Sequence, residues 1–124
     1  MNVLLWILQI LLAVSFAAAG AIKLIQPREK LAETLGRWVD DFPAPLLKPL
    51  GLAEVLAAIG LIAPALLDIA PILTPLAASG LVIVMIGAVA THARRGEYPN
   101  AGINVVLALM AAVVAWGRFG PYAF

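Results

Sequence analysis

The chain has no cysteine and a single histidine. Without thiols it has no thiol redox site, no disulfide frame and no thiolate metal ligands. One histidine excludes a two-histidine haem or di-metal site within one protomer. Charge is scarce too: 12% of the 124 residues are charged against 64% hydrophobic, with a net charge of +1. A soluble domain typically carries about 25% charged residues. Half that share leaves too little polar surface to coat a water-soluble globule of this size. The near-neutral balance offers no basic footprint for nucleic acid.

What the chain has instead is long apolar runs. A bilayer crossing takes roughly 20 apolar residues, so the sequence has room for about four spans in one domain, residues 1–124. The spans are predicted at about 2–25, 46–67, 72–93 and 101–117. The run from Phe16 to Ala21 looks superficially like a signal-peptidase site. No Lys or Arg precedes it, however, and three more apolar blocks follow, so it reads as a retained first helix. Gln26-Pro27 ends that helix, because proline stops or kinks a helix at the preceding residue. Between Arg28 and Asp41 the apolar residues Leu31, Leu35 and Trp38 recur at helical spacing among charges. This predicts a short amphipathic helix lying on the membrane surface, with Trp38 and Phe42 as interfacial anchors. The turn Asp68 to Pro71 is short enough to make spans two and three an antiparallel hairpin. The aromatic tail, with Trp116, Phe119, Tyr122 and Phe124, suits a membrane–water interface.

The expected class is therefore an all-α integral membrane protein: a four-transmembrane-helix bundle with an amphipathic interfacial helix between helices 1 and 2. Helices in lipid associate through close packing of small residues and polar contacts. Ala17 and Ala21, Ala53, Ala57 and Gly60, Gly80 and Gly87, and Ala108, Ala112 and Ala115 are the expected close faces. Lys23, Arg28, Lys30, Arg37, Lys48, Arg94 and Arg95 fall on one side and only Arg118 on the other. The positive-inside rule then places the loops 1–2 and 3–4 in the cytoplasm and both termini outside.

Polar side chains gather near the same side. Lys23 ends span one, Glu54 lies about two turns inside span two, Thr91 and His92 end span three, and Asn100 and Asn104 open span four. The other half offers Gln9, Ser15, Thr74 and Ser79, none of them ionisable. An ionised carboxylate within hydrocarbon costs at least about 2.5 kcal/mol, so Glu54 must face the interior and find a partner, with Lys23 and His92 available. Lys23, Glu54, His92 and Asn104 are the candidate ligand-binding residues. A helix-register ion pair is an equally good account of Glu54. Arg94 and Arg95 read first as topology determinants meeting lipid headgroups. With Arg28, Arg37 and Trp38 they are also candidate contacts for a partner. No catalytic residue is assigned and no metal is expected.

The run Ala19-Gly20-Ala21-Ile22-Lys23-Leu24 with Pro27, the run Leu50-Gly51-Leu52-Ala53-Glu54 with Gly60-Leu61 and Pro64, the run Ala90-Thr91-His92-Ala93-Arg94-Arg95-Gly96-Glu97, and Asn104 resemble the DoxX-like family in order and spacing. The resemblance covers nearly the whole length. It implies a four-helix protein of the cell inner membrane, associated with membrane oxidoreductase systems, with Lys23, Glu54 and His92 as recurring polar positions. The chain carries no cofactor motif of its own, so an oxidoreductase role would need a bound quinone or other lipophile, or a partner subunit. The leading expectation is an accessory subunit or quinone-like lipophile binder. Two alternatives stay open: a small enzyme using Glu54 and His92 as an acid–base pair on a lipophilic substrate, and a structural anchor for a cytoplasmic partner. A homodimer fits so small a bundle, though no residue marks its face.

Overall fold

The computed structural model describes residues 2–124, the side chains of Asp41 and Ala44 excepted. Six helices follow one another: α1 (Asn2–Ile25), α2 (Arg28–Leu35), α3 (Trp38–Asp41), α4 (Ala44–Leu67), α5 (Leu73–Arg94) and α6 (Tyr98–Phe119). Helices α1, α4, α5 and α6 are each long and apolar enough to cross a membrane. They run up, down, up and down. Helix α1 packs chiefly along α4 and α5 along α6, while the α4–α5 and α1–α6 contacts close the ring. One end of the bundle holds both long connections, and is called the loop end below. The other holds the two termini and the turn between α4 and α5.

The distribution of polarity is that of a lipid-solvated protein. Val3, Val14, Leu66, Leu67, Ile83 and Leu109 face outward, while Gln9, Lys23, Glu54, Thr74, His92 and Arg118 are buried. Leu12, Phe16, Leu61, Leu81, Met85 and Val114 form the centre of the apolar core, contributed by all four long helices.

Prolines set the helix boundaries and one inter-helix bond. Pro27 stands just before α2, and Pro99 lies in the first turn of α6, where a missing N–H costs nothing. That tolerance lets α6 begin at Tyr98, three residues before the expected start. Pro64 sits inside α4 and deprives the Gly60 carbonyl of its intrahelical donor. The Thr74 hydroxyl of α5 donates to that carbonyl at 3.0 Å, so the gap in one helix becomes a tie to the next.

The amphipathic segment is not one helix. Gly36, at φ +118°, breaks it into α2 and α3, a conformation that side-chain-bearing residues rarely adopt. The Arg28 guanidinium crosses the break and donates to the carbonyls of Val39, Asp40 and Phe42 at 3.1, 2.9 and 3.2 Å. Leu31, Ala32, Val39 and Leu47 form a small second core beneath it.

The small-residue expectations are met only in part. Ala17, Ala57, Ala108 and Ala115 pack against the core and Gly60 abuts Ala77. Gly80 and Gly87, however, meet nothing that a Cβ would touch. A backbone-to-backbone approach lies elsewhere, between Gly20 of α1 and Gly51 of α4. A Cβ at Gly20 would sit 2.5 Å from the Gly51 carbonyl oxygen, and one at Gly51 would sit 2.8 Å from the Gly20 oxygen. Such backbone approach is open only to glycine.

Candidate functional site

The Gly20–Gly51 crossing builds the first part of the site. A Cβ on Gly51 would lie 2.7 Å from Lys23 Cβ, so the missing side chain is what lets the Lys23 stem pass. Side chains on a helix lean toward its N-terminus, and Lys23 leans back along α1 to reach α4. Its Nζ lies 2.7 Å from Glu54 Oε1, with both side chains almost fully buried. The contact is ionic, and among the described residues Oε1 has no well-angled hydrogen-bond donor. Lys23 is therefore not drawn out to the headgroups; Lys48 takes that peripheral place and donates to the Leu24 carbonyl at 2.9 Å, closing the C-terminus of α1.

His92 does not complete a pair with Glu54. Its Nδ1 lies 2.8 Å from Glu97 Oε1, in the turn that follows α5. That turn folds back because Gly96 takes φ +73° and the Glu97 amide donates to the His92 carbonyl at 2.9 Å. The hydrogen bond from His92, and to a smaller degree the Arg95 guanidinium 3.4 Å away, holds the Glu97 carboxyl below the usual carboxylate range. Glu97 belongs to the run singled out in the sequence but was not given a role there; its position five residues after His92 falls outside helical spacing.

Lys23 and His92 both border one cavity of about 340 Å³ at the loop end. Leu50, Val84, Met85 and Ala88 supply apolar wall, and Lys23, Thr91, His92 and Asn104 supply polar atoms. Glu54 stands behind Lys23 rather than on the wall. Trp38 and Phe42 complete the lining, with the Trp38 ring edge-on to both Phe42 and His92 at centroid separations of 5.9 and 5.8 Å. Trp38 thus roofs the cavity, with its indole N–H on the Leu35 carbonyl at 3.1 Å. A shallower groove beside it shares Trp38, His92 and Asn104 and adds Asn100. Of the candidate partner contacts, Arg28 is committed to the α3 carbonyls. Arg37 lies 3.6 Å from Asp40 on the exposed surface, Arg95 pairs with Glu97, and Arg94 faces outward. Among the described residues no group of three or more metal-ligating side chains occurs.

The terminal end corrects a second expectation. Arg118 is buried there, 2% exposed. Its Nε donates to Gln9 Oε1 at 2.8 Å, and its Nη1 to Asn2 Oδ1 at 2.6 Å and to the Tyr122 carbonyl at 2.9 Å. The guanidinium lies 4.0 Å from the Phe124 ring centroid and 5.7 Å from that of Trp6. Gln9 in turn donates to the Leu61 carbonyl at 2.7 Å. The half of the bundle expected to lack ionisable groups therefore buries one.

These features define a small four-helix integral membrane protein with a partly polar cavity at its loop end. The sequence model of the DoxX-like family matches residues 7–114, and the chain belongs to that family. No curated protein matches the chain, and no solved structure does.

Proposed function

We propose that the chain binds a small lipophile with a polar headgroup in the loop-end cavity, and serves a membrane oxidoreductase system as an accessory, quinone-binding subunit. The observation that carries this is the cavity itself: about 340 Å³, walled mainly by apolar side chains, with Lys23, His92 and Asn104 converging on it. That is the usual make-up of a small-molecule site, with an apolar enclosure and few oriented polar groups. Quinone-like headgroups are the first class to test, because the chain has no thiol or cofactor motif and its family resemblance points toward oxidoreductase assemblies. The excess of Lys and Arg at the loop end favours an orientation with the cavity mouth toward the cytoplasm and both termini outside the inner membrane.

The experiment is purification in mild detergent, followed by mass spectrometry of organic extracts from wild type and Gly87→Leu. Gly87 lines the cavity and a Cβ there meets nothing within 4 Å, so leucine fills the space without forcing the helices apart. A lipophile retained by wild type and lost from the variant is the expected result. Equal extracts from both would overturn the proposal.

A further inference from the structure

The donors and acceptors around the cavity restrict the ligand further, an argument that rests on the binding role proposed above. His92 Nδ1 is held by Glu97 Oε1 at 2.8 Å. A carboxylate only accepts, so in the neutral imidazole the proton sits on Nδ1 and Nε2 is left as an acceptor. His92 borders both the cavity and the adjoining groove. Its Nε2 has no protein hydrogen bond among the described residues, and it is not among the fully enclosed unsatisfied atoms. The atom is therefore not fully enclosed. Lys23 has the complementary character. Its ammonium carries three donors and no acceptor. One side faces Glu54, and Nζ is likewise not among the enclosed unsatisfied atoms.

We infer that the cavity is built for a ring-hydroxylated lipophile: its O–H donates to His92 Nε2, and an oxygen lone pair accepts from Lys23. Glu97 is the positioning residue that fixes the acceptor face of His92. A headgroup with carbonyls alone satisfies Lys23 and leaves His92 Nε2 without a donor. A site whose polar group stays unpaired discriminates against the ligand that leaves it so. The reduced, hydroxyl-bearing form of a quinone is thus preferred over the dione. Nothing redox is required of the protein for this preference; it is a matter of hydrogen-bond sense.

The test uses two stable probes, 4-hexylphenol and its methyl ether 4-hexylanisole, in which a methyl group replaces the hydroxyl proton. Each is added at equal mole fraction to the detergent-solubilised full chain, and thermal unfolding is followed. A ligand that binds the folded state raises the melting temperature. The phenol is expected to raise it by at least about 3 °C more than the ether in wild type. That gap is expected to vanish in Glu97→Gln, whose amide can also donate to Nδ1, and in His92→Phe, which keeps a ring against Trp38. The ether's own effect is expected to persist in both variants and to be lost in Gly87→Leu. A phenol–ether gap that survives in Glu97→Gln and His92→Phe, or no gap in wild type, overturns the hydroxyl preference while leaving the cavity reading intact. A wild-type protein that responds to neither probe overturns both.

Discussion

The two ends of the bundle bury charge in opposite ways. At the loop end buried Lys23 and His92 each meet a carboxylate: Lys23 meets Glu54 at 2.7 Å and His92 meets Glu97 at 2.8 Å. At the terminal end Arg118 meets, among the described residues, only neutral acceptors, from Gln9, Asn2 and Tyr122, and the faces of two aromatic rings. Among the described residues its buried Nη2 has no hydrogen-bond partner. Guanidinium is weakly hydrated and planar, and tolerates such surroundings where an ammonium would not. Lys23 and His92 border a cavity, and the terminal cluster ties the first turn of α1, the last turn of α6 and the tail into one clasp. The loop-end contacts leave the second nitrogen of His92 without a hydrogen bond among the described residues, whereas the clasp consumes most of the hydrogen-bonding capacity of Arg118.

The difference has consequences for stability, the largest at Glu54. Glu54→Gln leaves the Lys23 ammonium buried without a counter-charge. Breaking a buried pair from one side typically costs about 3–5 kcal/mol, and a loss near the lower end of that range is expected in denaturant unfolding from mild detergent. The double variant Lys23→Met/Glu54→Gln is expected to regain most of the loss, because the desolvation cost disappears with the charge. A double variant no more stable than Glu54→Gln alone would mean that the pair acts through packing at the Gly20–Gly51 crossing and not through charge.

Arg118→Met is expected to cost less, about 2 kcal/mol. Three hydrogen bonds from a charged donor are lost, yet a methionine side chain refills the apolar part of the pocket and removes a desolvated cation. Arg118→Lys is expected to fare no better, since a compact ammonium cannot reproduce the fork that reaches Gln9, Asn2 and Tyr122 together. Equal stability of the lysine variant and wild type, in the same unfolding experiment, would reduce the clasp to a simple positive charge.

How much of this is readable from sequence follows the same division. Four spans, the loop-end cluster and the burial of Glu54 come directly from apolar run length and the cost of charge in hydrocarbon, both local properties of the chain. The partner of His92 does not. Glu97 lies beyond the helix end, and only the left-handed Gly96 turn brings it back. Gly20 and Gly51 appear in the family-like runs, yet no periodicity singles them out over Gly80 and Gly87, since one sequence face is as small as another until the helices are docked. Arg118 is missed for a related reason. A lone arginine beside aromatic residues near a helix end has the pattern of an interfacial anchor, and its acceptors Asn2 and Gln9 lie more than a hundred residues away along the chain.

The smallest expected effect separates the two ends by acid. His92 holds the Glu97 carboxyl below its ordinary range, and the unfolded value of a glutamate is about 4.3. A group whose folded value is depressed adds stability that is fully present above the unfolded value and is lost as pH falls through the folded one. Glu97 is partly exposed, and solvent screening keeps its share small. Wild type is therefore expected to lose slightly more stability than Glu97→Gln between about pH 5 and pH 3, measured as the difference in melting temperature across that range in one detergent. Arg118 and its neutral acceptors do not titrate there, so Arg118→Met is expected to show the acid dependence of wild type, merely offset. If Glu97→Gln and wild type fall in parallel, the His92–Glu97 contact adds nothing as a charged pair, and the acid sensitivity of the loop end must come from elsewhere in it.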